Sequence, residues 1–334
     1  MPYDANVLRR ATQRLEDQNR RRRDQIEHLR QDAYARQPRL EQLDRRIQGT
    51  MAGLVAAALR KGEDPAAAVR AVREENQNLQ RERAVLLGAM GLPEDALDDK
   101  PACPLCRDTG WQGASMCRCL KELCAQEQIK ELSKLLDLGE QSFDTFSTDY
   151  YSQAFDPRHG ISPREHMVMN SNVCWNYAHK FGRISTKNLL LSGPPGLGKT
   201  FLSACIARTV SENGFSVVYD TAVNIFNQFE ARKFHRDSAD GLDAWDETRR
   251  YLSCDLLILD DLGREMTTRL TQSSLYELVN ARLVADKQTV VSTNLSLEEL
   301  EQRYDPPIVS RLKGEYEFLE FFGEDIRLVR KNRL

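Results

Sequence analysis

Apolar residues recur every seven positions at Ile26, Ala33, Leu40, Ile47 and Leu54, with Leu29 and Leu43 at interleaved sites. That spacing predicts a helical stripe of the coiled-coil kind. Pro38 interrupts it, because proline has no N–H to donate and its ring clashes with the preceding turn. A second stripe, Val69, Val72, Asn76, Leu79 and Leu86, follows the turn signal KGEDP. Residues 1–100 are therefore predicted to form two or three antiparallel helices, a hairpin or small bundle. Either the stripe packs only on itself, or it offers a narrow, arginine-edged face to a partner.

Beyond residue 140 the pattern changes. Short Val/Ile/Leu-rich runs, NLLLS (188–192), SVVYD (216–220), CDLLILDD (254–261), QTVVST (288–293) and YEFLEFF (316–322), alternate with amphipathic helical stretches. Continuous apolar runs of strand length require burial on both faces, so these predict an α/β fold with a mostly parallel sheet covered by helices. Between the two regions, residues 101–139 hold clustered cysteines and a connecting helix. The chain thus reads as a helical arm (1–100), a small cysteine module (101–139) and an α/β domain (140–334).

Composition narrows the function classes. A formal net charge of -3 with 41% hydrophobic residues is that of an ordinary soluble protein, and any contact with nucleic acid must be local. RRRR (20–23) is either such a local patch or a solvated helix face. The longest apolar stretch, MAGLVAAAL (51–59), is too short to span a bilayer, and the N-terminus carries no apolar signal segment. Four of the eight cysteines lie within 103–119, a spacing that fits reduced thiols in a cytoplasm better than a disulfide framework. Membrane association is not expected.

Those four cysteines form two close pairs, Cys103 with Cys106 and Cys117 with Cys119. Four soft thiolates suit tetrahedral Zn²⁺, and a closed thiolate shell leaves no position open for catalysis. The intervening RDTGWQGAS supplies glycines for tight turns. Cys124 is an alternative to Cys119, because C-x-C is tighter than the usual knuckle. Zinc here would staple a segment with too little core of its own.

The chemistry centres on NLLLSGPPGLGKTFLSACIA, a strand, a Gly/Pro loop and a helix at P-loop spacing. Gly193, Pro194, Pro195, Gly196, Leu197, Gly198, Lys199, Thr200 and Phe201 form the expected nucleotide-binding run. The glycines let backbone N–H groups turn toward phosphate, and the following helix points its positive end at the same place. Lys199 is expected to reach the β- and γ-phosphates of ATP, and the Thr200 hydroxyl to ligate Mg²⁺. The second half is LLILDDLG (256–263), where Asp260 ends a strand and is expected to hold Mg²⁺. Asp261 stands where a carboxylate orients attacking water. Thr293 or Asn294, at the end of the next strand, would hold the same water.

The ordered motifs GPPGLGKT, LLILDDLG, VVSTNLS, IVSRL and FFGEDIR resemble the AAA+ ATPases of the DnaC/DnaI helicase-loader group, over roughly 140–334. The resemblance implies that Asn294 is the sensor 1 residue, that Arg311 is inserted into a neighbouring subunit's ATP, and that Arg327 is the sensor 2 arginine. It also implies self-association through these domains. Two departures matter. Asp260-Asp261 replaces the common Asp-Glu, which suggests slow, switch-like hydrolysis, and too few residues follow the last strand for a full helical lid. The stretch FEARKFHRDS (229–238) lies in an insertion that, in the resembling proteins, faces the ring interior. Its Arg232, Lys233 and Arg236 alternate with Phe229, Phe234 and His235, a pattern suited to single-stranded DNA.

Loaders of the DnaI type carry a zinc-binding N-terminal region that binds the replicative helicase, so residues 1–139 are expected to bind that partner. An IstB-like ATPase helper of DNA transposition is the alternative. A small-molecule kinase leaves IVSRL, the cysteines and the arm unexplained.

Overall fold

The apolar runs form strands because each has two faces to bury. In the computed structural model, which describes residues 3–59, 65–136, 141–183, 187–234 and 239–331, five strands make one parallel sheet. They are β1 (Asn188–Ser192), β2 (Val217–Thr221), β3 (Leu256–Leu262), β4 (Gln288–Thr293) and β5 (Tyr316–Glu320). Their order is β2-β3-β4-β1-β5, which places the P-loop strand β1 between β4 and the edge strand β5. Alternation decides what each face packs against. Leu189, Leu191, Tyr219, Ile258 and Val290 point into one apolar layer, and Leu190, Val218, Leu257, Leu259 and Val291 into the other.

Helices complete both layers. On the first side lie α4 (Arg118–Leu136), α5 (Pro163–Lys180) and α6 (Lys199–Glu212). On the second lie α7 (Ala222–Phe234), α8 (Ala239–Ser253), α9 (Arg269–Val284), α10 (Leu297–Arg303) and α11 (Pro306–Glu315). The short α12 (Ile326–Lys331) follows β5. The strands match the predicted runs, and the sheet is covered on both faces as expected.

By its contacts the chain divides into two units, residues 1–12 with 118–334, and residues 13–117. Helix α4, grouped by the sequence with the cysteine module, packs within the first unit. Its buried Gln128 donates to Ser211 Oγ (2.8 Å) and to the Phe215 carbonyl (3.0 Å), and accepts from the Val217 N–H (2.9 Å) at the start of β2. The start of α1 (Ala5–Arg36) belongs here too, with Val7 and Ala11 buried and the preceding Tyr3 donating to the Gly214 carbonyl at 2.6 Å.

The second unit holds the rest of α1, with α2 (Pro38–Leu59) and α3 (Pro65–Ala89) forming a hairpin. Pro38 separates α1 from α2 as expected. Of the heptad stripe, Ala33 is buried and Ile26 and Ile47 are half-buried, while the Leu54 side chain lies outside the described residues. Leu40 and Leu43 are fully buried, and Leu40 packs with Ala33, Leu87 and Leu97, while Leu29 stays exposed. Leu40 is therefore core and cannot be a partner's anchor. Polar ties add to the packing. Arg83 pairs with Asp44 at 2.6 Å and Asp98 at 2.9 Å, and Tyr34 donates to Asp44 at 2.7 Å. Among the described residues, no helix is long and apolar enough to cross a membrane.

Candidate functional site

The loop between β1 and α6 is shaped by its glycines. Gly193, Gly196 and Gly198 have φ of 142°, 78° and 90°, a region L side chains avoid. Space forbids a side chain as well. A Cβ on Gly193 would lie 2.0 Å from the Phe321 carbonyl oxygen, and one on Gly196 would lie 2.0 Å from Asp325 Oδ1. The loop opens on a cleft of about 940 Å³ lined by Pro195 through Phe201, with Asp261 and Asn294 from the ends of β3 and β4. Arg327 and Arg330 of α12, Arg264 and Arg208 also face it. Together with Lys199 they make a strongly cationic cleft whose acid, among the described lining residues, is Asp261. Such a cleft suits a polyphosphate.

Lys199 is 6% exposed and donates to the Pro194 carbonyl at 2.8 Å and to the Gly193 carbonyl. Burial pushes its ammonium down from 10.5 to about 8, with Arg327 and Arg264 acting the same way against Asp261 and Asp260. The P-loop carbonyls hold the charge in the place where a phosphate would satisfy it better.

Asp260 is buried at the end of β3 and accepts from Tyr219 Oη (2.6 Å) and from Ser292 Oγ. Burial, with Asp260 next, pushes the Tyr219 phenol far above its ordinary range, so it remains a donor. The strand then bulges. Leu259 pairs with Val291 and Leu262 with Thr293, so β3 has one residue more than β4 over this interval. Asp261 absorbs it at φ 56°, with its N–H on Ser292 Oγ (3.0 Å) and its carboxylate on Arg264 (3.0 Å). Bulges of this type re-aim side chains, and a left-handed aspartate is strained backbone. Here the bulge sends Asp261 into the cleft while Asp260 stays beneath it. Thr293 and Asn294 are placed differently. Thr293 Oγ1 donates to the Leu262 carbonyl at 2.6 Å and is wholly buried, whereas Asn294 lines the cleft.

Arg311 lies elsewhere. On α11 it bonds Asn280 Oδ1 (2.9 Å) and Tyr276 Oη (2.9 Å) of α9, its guanidinium 4.5 Å from the Tyr276 ring centre. It does not line this chain's cleft. In the insertion, Lys233 and Phe234 are exposed at the end of α7, but Arg232 is paired with Glu277 (2.6 Å) and stacked over Phe229 and Trp245. Phe229 is 2% exposed core and cannot stack on a base, because it shares the inward stripe of Ile225 and Phe226. Arg236 and His235 lie outside the described residues.

Sequence reasoning missed Arg208, Arg264 and Arg330, and the aromatic wall of Phe146, Tyr150 and Tyr151. Tyr151 is buried and its hydroxyl donates to the Leu197 carbonyl at 2.9 Å, bracing the P-loop. The aromatic run in FDTFSTDYY was the one signal available for that wall.

The sulfurs of Cys103, Cys106, Cys117 and Cys119 lie within 4.8 Å of one another, and Cys103 and Cys117 Sγ are 3.7 Å apart. A tetrahedral ion with metal–sulfur bonds near 2.3 Å needs sulfurs about 3.8 Å apart, so the set fits zinc. The Gly110 N–H donates to Cys106 Sγ at 3.3 Å. Asp108, at φ 66°, accepts from the Cys103 N–H (2.8 Å) and pairs with Arg22 of α1 (2.6 Å), tying the knuckle to the arm. Cys124 is outside the cluster, and burial pushes its thiol up to about 11.

Residues 181–333 match the family described as IstB-like ATP binding protein. A Sinorhizobium fredii protein named for an insertion sequence and for ATP binding is 29% identical over 131 residues, 39% of this chain and 40% of its own. The replicative helicase loader DnaC of Buchnera aphidicola is 24% identical over 140 residues, 41% of this chain and 54% of its own. The chain thus spans about half the length of these relatives. The crystal structure of a DnaC helicase loader is 18% identical with a TM-score of 0.45, covering 56% of this chain and 99% of that one. Residues 181–333 are thus similar to IstB-like ATP binding proteins, and they carry their phosphate-binding loop on a parallel sheet covered by helices.

Proposed function

We propose that the chain is a slow, switch-like ATPase that binds a hexameric replicative helicase and places it on single-stranded DNA. The observation that carries the ATPase part is the separation of the two kinds of arginine. Arg327 faces the cleft of its own chain, whereas Arg311 is held outside it on Tyr276 and Asn280. An arginine so presented suits the nucleotide of a neighbouring copy, where its planar guanidinium stabilises charge on the transferring phosphoryl group.

In this mechanism the backbone of 193–200 wraps the phosphates. Lys199 exchanges its P-loop carbonyls for the β- and γ-phosphate oxygens, and Arg327 adds charge from the same chain. Thr200 and Asp260 would hold Mg²⁺, which would supply charge that neutralises the phosphates. Asp261 orients the attacking water and Asn294 holds it. The shorter aspartate, in place of glutamate, leaves that water further off and keeps hydrolysis slow.

The loader part is supported by what lies outside the matched domain. A helical arm and a closed set of thiolates precede it, the thiolates would hold one Zn²⁺ that braces the arm's exit, and a named helicase loader is among the relatives. Lys233 and Phe234, with Arg236, would contact DNA, while Arg232 braces Trp245. The cytoplasm is the compartment for such work. An IstB-like helper of transposition is the second reading, favoured by the family description itself.

The test is to mix the full chain with a hexameric replicative helicase and single-stranded DNA, with and without ATP. The loader reading expects a stable complex with the helicase that releases it onto DNA on ATP addition. Absence of helicase binding, together with ATP-dependent assembly on duplex DNA, would move the transposition helper ahead.

A further inference from the structure

We propose that Glu265 is a positioning residue that couples the nucleotide cleft to the helix carrying Arg311. The inference rests on the reading above that Arg311 serves a neighbour's nucleotide.

Glu265 follows the loop that leaves β3, one residue after the cleft arginine Arg264 and four after Asp261. It is 5% exposed, and a carboxylate is rarely buried unless both oxygens are occupied. Both are. Oε2 accepts from the Gly263 N–H at 2.8 Å and Oε1 accepts from Tyr304 Oη, while the Glu265 carbonyl accepts from Arg303. The loop is confined on its other side, since a Cβ on Gly263 (φ 103°) would lie 2.6 Å from Leu295 Cδ1, beside Asn294.

The bonds continue toward Arg311. Arg303 ends α10 and Tyr304 caps it, and the Arg303 carbonyl accepts from Gln272 of α9 (3.2 Å). Gln272 in turn accepts from the Asp305 N–H (3.0 Å), immediately before Pro306 opens α11. Ile308, Val309 and Leu312 bury the inner face of α11, and Arg311 lies along α9. A contiguous set of hydrogen bonds therefore joins Asp261 and Arg264, which line the cleft, to the start of the arginine helix. Any shift of the β3 loop as Asp261 and Arg264 engage nucleotide must be passed on through the Glu265–Tyr304 bond or break it. The Tyr304 ring belongs to the apolar layer beneath α10 and α11, and the buried bond from its hydroxyl to Glu265 is the link through which such a shift reaches those helices.

The test is amide hydrogen exchange on the full chain, with and without a non-hydrolysable ATP analogue and Mg²⁺. In the wild type the analogue is expected to slow exchange over 193–201 and to change it about twofold or more over 303–315. Glu265→Gln presents one amide N–H₂ to a donor, and Tyr304→Phe removes a single hydroxyl. Both should keep the 193–201 protection and lose the response at 303–315. A purely structural role would speed exchange at 303–315 in both states and leave the nucleotide-dependent difference in place, which would overturn the proposal. So would a wild type with no response at 303–315. If 193–201 is not protected either, the nucleotide reading falls and the relay with it. A relay seen here while Arg311→Ala hydrolyses ATP normally would overturn only the neighbour's-site reading.

Discussion

Lys199→Met should make the nucleotide-free protein more stable while abolishing ATP binding. The ammonium is 6% exposed, and burial holds it at about 8 against 10.5 in the unfolded chain. At about 1.4 kcal/mol per pH unit, that difference is about 3 kcal/mol of destabilisation carried by the charged form. Methionine matches the lysine stem but cannot donate to the Gly193 and Pro194 carbonyls, a loss of about 1 kcal/mol in all, since cleft water reaches those oxygens. The net gain at pH 7 is about 1–2 kcal/mol, or about 2–8 °C in Tm for a unit of this size. The sign has a pH signature. Below pH 8 folded and unfolded chains both carry the proton, so the penalty is complete. Between pH 8 and 10.5 the unfolded chain binds more protons, wild-type stability rises, and the advantage of methionine shrinks toward zero. Thermal unfolding of both proteins at pH 7 and pH 10, without nucleotide, measures this. A variant less stable than wild type at pH 7, or an advantage unchanged at pH 10, would refute the reasoning.

Ser292→Ala removes the hydroxyl shared by the Asp260 carboxylate and the Asp261 N–H, and should lower kcat about tenfold or more with nucleotide affinity little changed. Steady-state ATPase assays beside analogue titration separate the two. Elemental analysis should find about one zinc per chain; Cys119→Ser should lose it and Cys124→Ser should keep it. Phe234→Ala should weaken single-stranded DNA binding by about 1–3 kcal/mol in fluorescence anisotropy without changing the far-ultraviolet spectrum, whereas Phe229→Ala should lower Tm.

The strands were legible because burial on both faces leaves near-continuous apolar runs, and the P-loop because its glycines are dictated by backbone geometry. The rest depends on partners far along the chain. Arg232 looks like a free cation until Glu277 and Trp245 are folded beside it. Phe229 looked available because the basic residues around it masked a helical stripe with Ile225 and Phe226. Helix α4 joins the P-loop unit through polar Gln128, which no apolar pattern announces. The heptad stripe was read correctly as helical, but whether it faced a partner or itself turned on Leu87 and Leu97, contributed from outside it.

The central claim is that one chain's ATP is completed by another chain's arginine. Arg311→Ala keeps the cleft and lacks the donor, and Lys199→Ala keeps the donor and lacks the cleft. Each should be nearly inactive as an ATPase at any concentration. Mixed in equal amounts at high concentration, they should recover a substantial fraction of wild-type activity that falls on dilution. Full activity of Arg311→Ala alone, or no recovery in the mixture while both proteins remain folded, would contradict it.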